Sequence, residues 1–211
     1  MAEITRNDEF GKAIIDCIIK YNLVNNLEIG SWDGSGSTQC FIEGMLQLNQ
    51  PKCLHCIEIK ESRYKDLCIA TEQYNWIHCH NVTSVEIAKL PAFDKIWESE
   101  FNGIKKHAAY TMDIVKQWYD EDKDLMMNFN KGFLESNNDC FDGVLIDGGE
   151  FTGFEEFKLL KDRARVIFLD DTYRAFKTKE ASYVLSISPE WRLENFSNDV
   201  RNGYAIYVKN N

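Results

Sequence analysis

Acidic residues stand at the ends of two predicted strands late in the chain. Asp147 follows the apolar run of residues 141–146, and Asp170 and Asp171 follow the run 165–169. The carboxyl ends of parallel strands share one edge of a sheet, so these acids should lie close together. Carboxylate oxygens are the ligands that Mg²⁺ and similar hard cations prefer. We therefore predict a divalent metal site at these three residues; the alternative is that the acids only cap helices and hold loops.

A glycine-rich turn ends the first predicted strand, with the sequence Glu-Ile-Gly-Ser-Trp-Asp-Gly-Ser-Gly over residues 28–36. Gly30, Gly34 and Gly36 allow a sharp turn and a close approach of the backbone to a ligand. Glu58 ends the second strand 22 positions beyond Gly36, where an acid can hold both hydroxyls of a ribose. The pattern predicts a ligand that contains adenosine, and an ordinary strand-to-helix turn is the alternative.

Strands and helices alternate along most of the chain. Such alternation predicts an α/β fold with a mainly parallel sheet and helices on both faces. The last two strands leave no room for a helix between them and should pair antiparallel. The predicted strands are residues 23–29, 53–58, 76–79, 141–146, 165–169, 191–196 and 204–208, and the predicted helices between them are residues 37–49, 61–73, 153–161 and 176–185.

Two further segments complete a predicted single domain over residues 1–211. Residues 8–21 have apolar side chains at helical spacing, so we expect a helix that packs on the edge of the sheet. Ser37 or Thr38 should cap the helix after the glycine turn. The aromatic-rich, helical insertion at about residues 82–140 is longer than a usual crossover. It is either a lid over the carboxyl edge of the sheet or a long crossover.

The turn, the later Cys-Ile-Glu58 and the segment Phe-Asp-Gly-Val-Leu-Ile-Asp-Gly-Gly-Glu150 resemble the class I S-adenosylmethionine-dependent methyltransferases. The similarity is closest to small-molecule O-methyltransferases and glycan-locus relatives, and it covers nearly the whole chain outside the insertion. It implies a Rossmann-like sheet with Glu28 near the methionine part of the cofactor, Glu58 on the ribose and Asn81 beside the adenine. The turn residues implied to contact the cofactor are Gly30, Ser31, Gly34, Gly36 and Ser37.

The resemblance also implies roles for the acids. In metal-dependent relatives, acids at the places of Asp147, Asp170 and Asp171 hold a divalent ion that lowers the pKa of the acceptor hydroxyl. A lysine or histidine commonly serves as the base three residues after the first acid, but this chain has Glu150 there. Asp147 and Glu150 are the predicted catalytic residues, because burial could raise the pKa of a glutamate enough for it to act as a base.

Composition limits the partners and the compartment. The formal net charge of −10 disfavours nucleic acid. The acidic N-terminus does not resemble a secretory signal, and no apolar run is long enough to span a membrane, so we expect a cytoplasmic protein. Seven scattered cysteines suggest free, mostly buried thiols. A zinc site at Cys53, His55, Cys56 and the segment 78–80 is the weaker alternative, because no second pair has zinc-finger spacing.

These observations predict methyl transfer from S-adenosylmethionine to a hydroxyl of a small molecule or sugar, either with or without the help of a divalent metal ion. A binding module that keeps the fold without the chemistry is the second hypothesis, since Glu150 departs from the usual base. An NAD-dependent oxidoreductase is the third. A dinucleotide turn would have another glycine three residues after Gly36, where this chain has Gln39, and the antiparallel tail also disfavours it. Neither the acceptor nor the oligomeric state can be deduced from the sequence.

Overall fold

The computed structural model describes residues 3–101, 110–173 and 177–210. Seven strands form one sheet in the order β3-β2-β1-β4-β5-β7-β6. Strands β1 to β5 are parallel, and β7 runs antiparallel to both β5 and β6. The strands are β1 (Asn25–Ile29), β2 (Cys53–Ile57), β3 (Ile77–His80), β4 (Phe141–Ile146), β5 (Ala164–Asp170), β6 (Trp191–Ser197) and β7 (Tyr204–Lys209). The predicted α/β fold, with its mainly parallel sheet and antiparallel C-terminal strand, is confirmed.

Helices cover both faces of this sheet. They are α1 (Glu9–Tyr21), α2 (Ser37–Leu46), α3 (Glu61–Thr71), α4 (Phe93–Glu98), α5 (Met112–Met126), α6 (Phe133–Ser136), α7 (Gly153–Leu160) and α8 (Lys179–Ile187), with a short 3₁₀ helix at Ile87–Lys89. Successive strand residues point to opposite faces, so Phe168 packs with α1 and α2 while Leu169 packs with α7 and α8. Two apolar cores result, one on each side of the sheet.

The first helix lies on a face of the sheet, so the prediction that it packs on the edge is wrong. Phe10 of α1 stacks on Tyr204 of the interior strand β7, with ring centroids 4.4 Å apart. The helix is also packed along α2. Its last turn reaches the edge strand β6, where the Tyr21 hydroxyl donates to Glu194 at 2.6 Å. Burial of Phe10, which is fully enclosed, favours the face over the edge.

The insertion packs over the carboxyl edge of the sheet. Val115 and Tyr119 of α5 form a small apolar cluster with Phe151, which follows β4. The insertion is also tied to the loop after β4, since the Glu150 N–H donates to Asp122 of α5 at 3.0 Å. This placement favours the lid over the long crossover. Residues 102–109 of the predicted insertion lie outside the described residues.

Among the described residues, no helix combines the length and apolar character that crossing a bilayer requires.

Candidate functional site at the carboxyl edge

The glycine turn after β1 is built by close backbone contact with its neighbours. The amides of Gly30 and Ser31 both donate to the Ile57 carbonyl of β2, each at 3.0 Å. Gly30 has φ +89°, and a Cβ there would stand 2.1 Å from the Asp147 carbonyl oxygen after β4. Any other residue at this position would both clash and strain the backbone. The turn therefore brings the ends of three strands together.

Glu28 is enclosed behind this turn. Its carboxylate is fully buried and accepts hydrogen bonds from the hydroxyls of Ser37 and Thr38, each at 2.6 Å. Burial raises the pKa of Glu28, and the two hydroxyls oppose that shift. The predicted capping by Ser37 or Thr38 is wrong, because Gly36 is the N-cap residue and both hydroxyls are engaged by Glu28. In the structure, Glu28 stabilises the start of α2.

Glu58 faces the open space beside the turn. It is 5% exposed. Its two carboxylate oxygens accept the Trp32 amide at 3.0 Å and the Lys60 amide at 2.8 Å. Burial raises the pKa of Glu58, while the amides and the nearby Arg63 oppose the shift. A carboxylate offers about four lone-pair positions, so two remain available for hydroxyl donors.

A cavity of about 410 Å³ opens between the turn, Glu58 and the ends of β4 and β5. Its size and its mixed polar and apolar walls are typical of small-molecule sites. The predicted site residues that line it are Gly30, Ser31, Gly36, Ser37, Glu58, Asp147, Glu150, Asp170 and Asp171. The glycine turn, Glu58 and the acids after β4 and β5 are thus brought to one cavity.

Three predicted cofactor residues are not among those that line this cavity: Glu28, Gly34 and Asn81. The Asn81 side chain donates to the carbonyls of Glu58 and Ile59, at 2.9 and 3.0 Å. It therefore fixes the backbone that carries Glu58. Gly34 has φ +78° and packs against α3. These residues shape the site from behind its walls, and a direct contact with adenine or methionine stays a prediction.

The three predicted metal ligands converge. Asp147, Asp170 and Asp171 each place a carboxylate oxygen within 4.8 Å of the others. Burial raises the pKa of Asp147 and of Asp170 above the ordinary value for aspartate. Oxygen donors of this kind suit Mg²⁺ or Mn²⁺. Taken without their partners, the three carboxylates therefore have the donor chemistry that the prediction requires.

Two side-chain cations already contact this cluster. Lys177 Nζ lies 2.5 Å from Asp147 Oδ1 and 3.7 Å from Asp171 Oδ2. Arg201, from the turn between β6 and β7, is paired with Asp170. Burial lowers the pKa of Lys177, but the surrounding carboxylates, Asp147 foremost, raise it well above the ordinary value. Because each of the three acids already contacts a side-chain cation, the arrangement does not fit a divalent ion as it stands.

Sequence reasoning missed both cations. Lys177 lies six residues beyond Asp171, just before α8, and no motif marks it. Arg201 is 30 residues beyond Asp171 in the chain. The sequence did indicate that the segment with Lys177 follows β5 and that the segment with Arg201 precedes β7. The ends of both strands lie at the site.

Glu150 stands beside this cluster on the loop after β4. Its amide donates to Asp122 of the insertion at 3.0 Å. Burial raises the pKa of Glu150, and the Lys177 ammonium opposes that shift. The direction of the shift is the one that a general base near neutrality requires.

A second, smaller pocket of about 200 Å³ adjoins the first. Phe151, Phe154 and Ile96 give it apolar walls. Glu150 and Lys177 line both pockets. These two side chains therefore mark the place where a molecule in one pocket would meet a molecule in the other.

The cysteines and histidines of β2 and β3 lie away from this cavity. His55 contacts Cys53 at 3.3 Å and His80 at 3.0 Å, whereas Cys56 is buried on the opposite face beside Glu28. The candidate zinc ligands are therefore split between two faces. All seven cysteines carry free thiols, as predicted, but fewer are buried than predicted. Three are buried, three are half-buried and Cys140 is exposed.

No protein family model matches the sequence, and no curated protein sequence matches it. Solved structures share its fold. One, from Staphylococcus aureus, is described as a candidate caffeoyl-CoA O-methyltransferase; it has 15% identity and a TM-score of 0.60, over 97% of this chain and 84% of its own. An O-methyltransferase from Bacillus cereus, in complex with S-adenosylhomocysteine, has 14% identity and a TM-score of 0.58, over 95% and 80%.

A third structure is the O-methyltransferase from Streptomyces achromogenes involved in tomaymycin synthesis, in complex with S-adenosylmethionine. It has 12% identity and a TM-score of 0.56, over 95% of this chain and 79% of its own. At these identities the similarity establishes the fold: this chain has the Rossmann-like fold of these methyltransferases.

Proposed function

We propose that the chain, built on the methyltransferase fold, transfers a methyl group from S-adenosylmethionine to a hydroxyl of a small molecule or sugar. The observation that carries the proposal is the cavity at the carboxyl edge, where the glycine turn and the Glu58 carboxylate face the acids after β4 and β5. Structures of the same fold hold S-adenosylhomocysteine or S-adenosylmethionine, which supports this choice of ligand.

The residues around the cavity suit the two ends of such a cofactor. Glu58 would accept the ribose hydroxyls on its two remaining lone pairs. The backbone of Gly30, Ser31 and Gly36 would pass beside the sulfonium end, where the acidic edge favours a positive charge. When bound, S-adenosylmethionine supplies an electrophilic methyl group on its sulfonium sulfur, and transfer of that group leaves a neutral thioether.

The acceptor would enter through the second pocket. Its aromatic walls favour a flat or apolar ring face, and Glu150 and Lys177 at the junction would meet the reacting hydroxyl. Glu150 would take the hydroxyl proton as the oxygen bonds to the methyl group. The net charge of −10 favours a small acceptor over a nucleic acid.

A test of this proposal begins with titration of the purified protein with S-adenosylhomocysteine in a calorimeter. It continues with a methyl-transfer assay against hydroxylated small molecules and sugars, with and without Mg²⁺. We expect binding and turnover of at least one acceptor class. Failure of the protein to bind either S-adenosylmethionine or S-adenosylhomocysteine would refute the proposal.

The alternative is a binding module without methyl transfer. Glu150 favours it, because that residue replaces the usual lysine or histidine base. Binding of S-adenosylhomocysteine without turnover of any acceptor would support the module.

A further inference from the structure

The acidic cluster at the carboxyl edge holds an internal cation. Lys177 is 8% exposed, although lysine is almost never buried without a partner. Its ammonium has Asp147 at 2.5 Å and Asp171 at 3.7 Å. Arg201 pairs with the third acid, Asp170. Three carboxylates thus share two fixed positive charges.

The position of the Lys177 ammonium, more than the number of charges, decides whether a divalent ion can bind. A divalent ion bound by Asp147 and Asp171 would need oxygen distances of roughly 2.0–2.6 Å, in the region where Lys177 Nζ already lies. An ion and an ammonium in contact would repel each other, and the carboxylate oxygen that faces Lys177 would have to serve both. The two cations are therefore alternatives at one place.

The ammonium also stands where an acceptor would react. Lys177 and Glu150 line both the larger cavity and the aromatic pocket. An ammonium has three donors, and two carboxylates contact this one, so it retains a donor for a further oxygen. It can thus hold an acceptor hydroxyl and stabilise negative charge that develops on its oxygen.

We propose that the ammonium of Lys177 is the resident cation of the Asp147–Asp170–Asp171 cluster and that it holds the acceptor oxygen in place of a divalent metal ion. This inference rests on the proposed methyl transfer for the role of the oxygen. The occupancy of the cluster itself is independent of that function.

The experiment measures Mn²⁺ binding by electron paramagnetic resonance, in which bound Mn²⁺ loses its free-ion signal. The proteins are the wild type, Lys177→Met, the double variant Lys177→Met with Asp171→Asn, and the control Lys161→Met. Lys161 is a surface lysine at the end of α7 whose side chain is 44% exposed. Thermal unfolding of each variant checks that it folds.

We expect the wild type and Lys161→Met to bind no Mn²⁺ at this cluster up to about millimolar concentration, which corresponds to negligible affinity. Lys177→Met should bind one Mn²⁺ at least roughly tenfold more tightly, and the double variant should lose that gain. If Lys177→Met does not fold, Lys177→Gln replaces it. If neither variant folds, the deciding measurement is methyl transfer by the wild type in EDTA, and we expect undiminished turnover.

Two results would overturn the inference. One is tight uptake of a single Mn²⁺ by the wild type that Asp147→Asn abolishes. The other is a folded Lys177→Met protein that gains no metal affinity, because the lysine would then not be occupying an ion site. Neither depends on cofactor binding, whereas failure to bind S-adenosylhomocysteine would refute the proposed function and leave the Mn²⁺ result standing.

Discussion

Replacement of Glu58 by alanine tests the proposed ribose contact most directly. Two of the four lone-pair positions of its carboxylate are taken by the Trp32 and Lys60 amides. The other two would accept the ribose hydroxyls. A hydrogen bond to a charged group contributes about 1.5–3 kcal/mol, and water replaces part of what is lost. We therefore expect Glu58→Ala to weaken S-adenosylhomocysteine binding by about 3 kcal/mol, or roughly 100-fold in Kd.

The assay is calorimetric titration of S-adenosylhomocysteine into the wild type and three variants. Glu58→Gln keeps the shape and one acceptor oxygen, so its loss should be smaller, roughly tenfold. Glu61→Ala is the matched control, because Glu61 starts α3 only three residues away and its side chain is 71% exposed. It should leave the affinity unchanged.

Glu58 also supports the turn, so thermal unfolding must accompany the titration. A Glu58→Ala protein that melts close to the wild type but binds S-adenosylhomocysteine as tightly would show that Glu58 does not hold the ribose. Equal weakening by Glu61→Ala would show that the effect arises from general loss of negative charge.

Three further predictions follow from the same structure. Gly30→Ala should lower the free energy of unfolding in urea by about 3 kcal/mol, because the new Cβ would clash with the Asp147 carbonyl and the backbone at Gly30 has a positive φ. Gly149→Ala is the control: its Cβ would contact side-chain atoms, so the loss should be less than about 1 kcal/mol. Burial and the neighbouring histidines lower the pKa of His80 to about 4. The free energy of unfolding should therefore fall as the pH drops below about 6.5, where the histidine of the unfolded chain gains a proton. His80→Gln should recover about 1 kcal/mol of that loss near pH 5.5. An unchanged pH profile of urea unfolding would contradict this. Glu150→Gln should reduce kcat by about 10²- to 10⁴-fold while the affinity for S-adenosylhomocysteine is retained. The acid limb of the wild-type pH–rate profile should lie above the ordinary glutamate pKa, because burial raises the pKa of Glu150. Wild-type turnover by this variant would exclude Glu150 as the base.

The sheet and the glycine turn after β1 were predictable because their signals are local. Alternating apolar strands and helices require parallel pairing, and positive-φ glycines at Gly30 and Gly34 mark the turn whatever surrounds it. The strand ends at Ile29, Ile57 and Ile146 therefore lie within one residue of their predicted places.

The features that the sequence did not predict depend on packing between residues far apart in the chain. The position of α1 depends on the stacking of Phe10 on Tyr204, residues nearly 200 positions apart. The Lys177 ammonium comes from the segment before α8. Residue spacing in such a segment does not indicate which side chain points into the site. The resemblance predicts Glu28 near the methionine part of the cofactor, but the hydroxyls of Ser37 and Thr38 at the start of α2 donate to its carboxylate in the structure.

The order of strands in the sheet affects how the chain is made. β7 leaves the ribosome after β5 and β6, yet it sits between them in the sheet and is buried along most of its length. Until β7 arrives, the hydrogen-bonding edge of β5, with the apolar side chains of Val166 and Phe168, has no cover and can pair with another chain. A nascent chain stalled before Tyr204 should therefore need chaperone protection, even though every residue of the predicted cofactor turn is already in place.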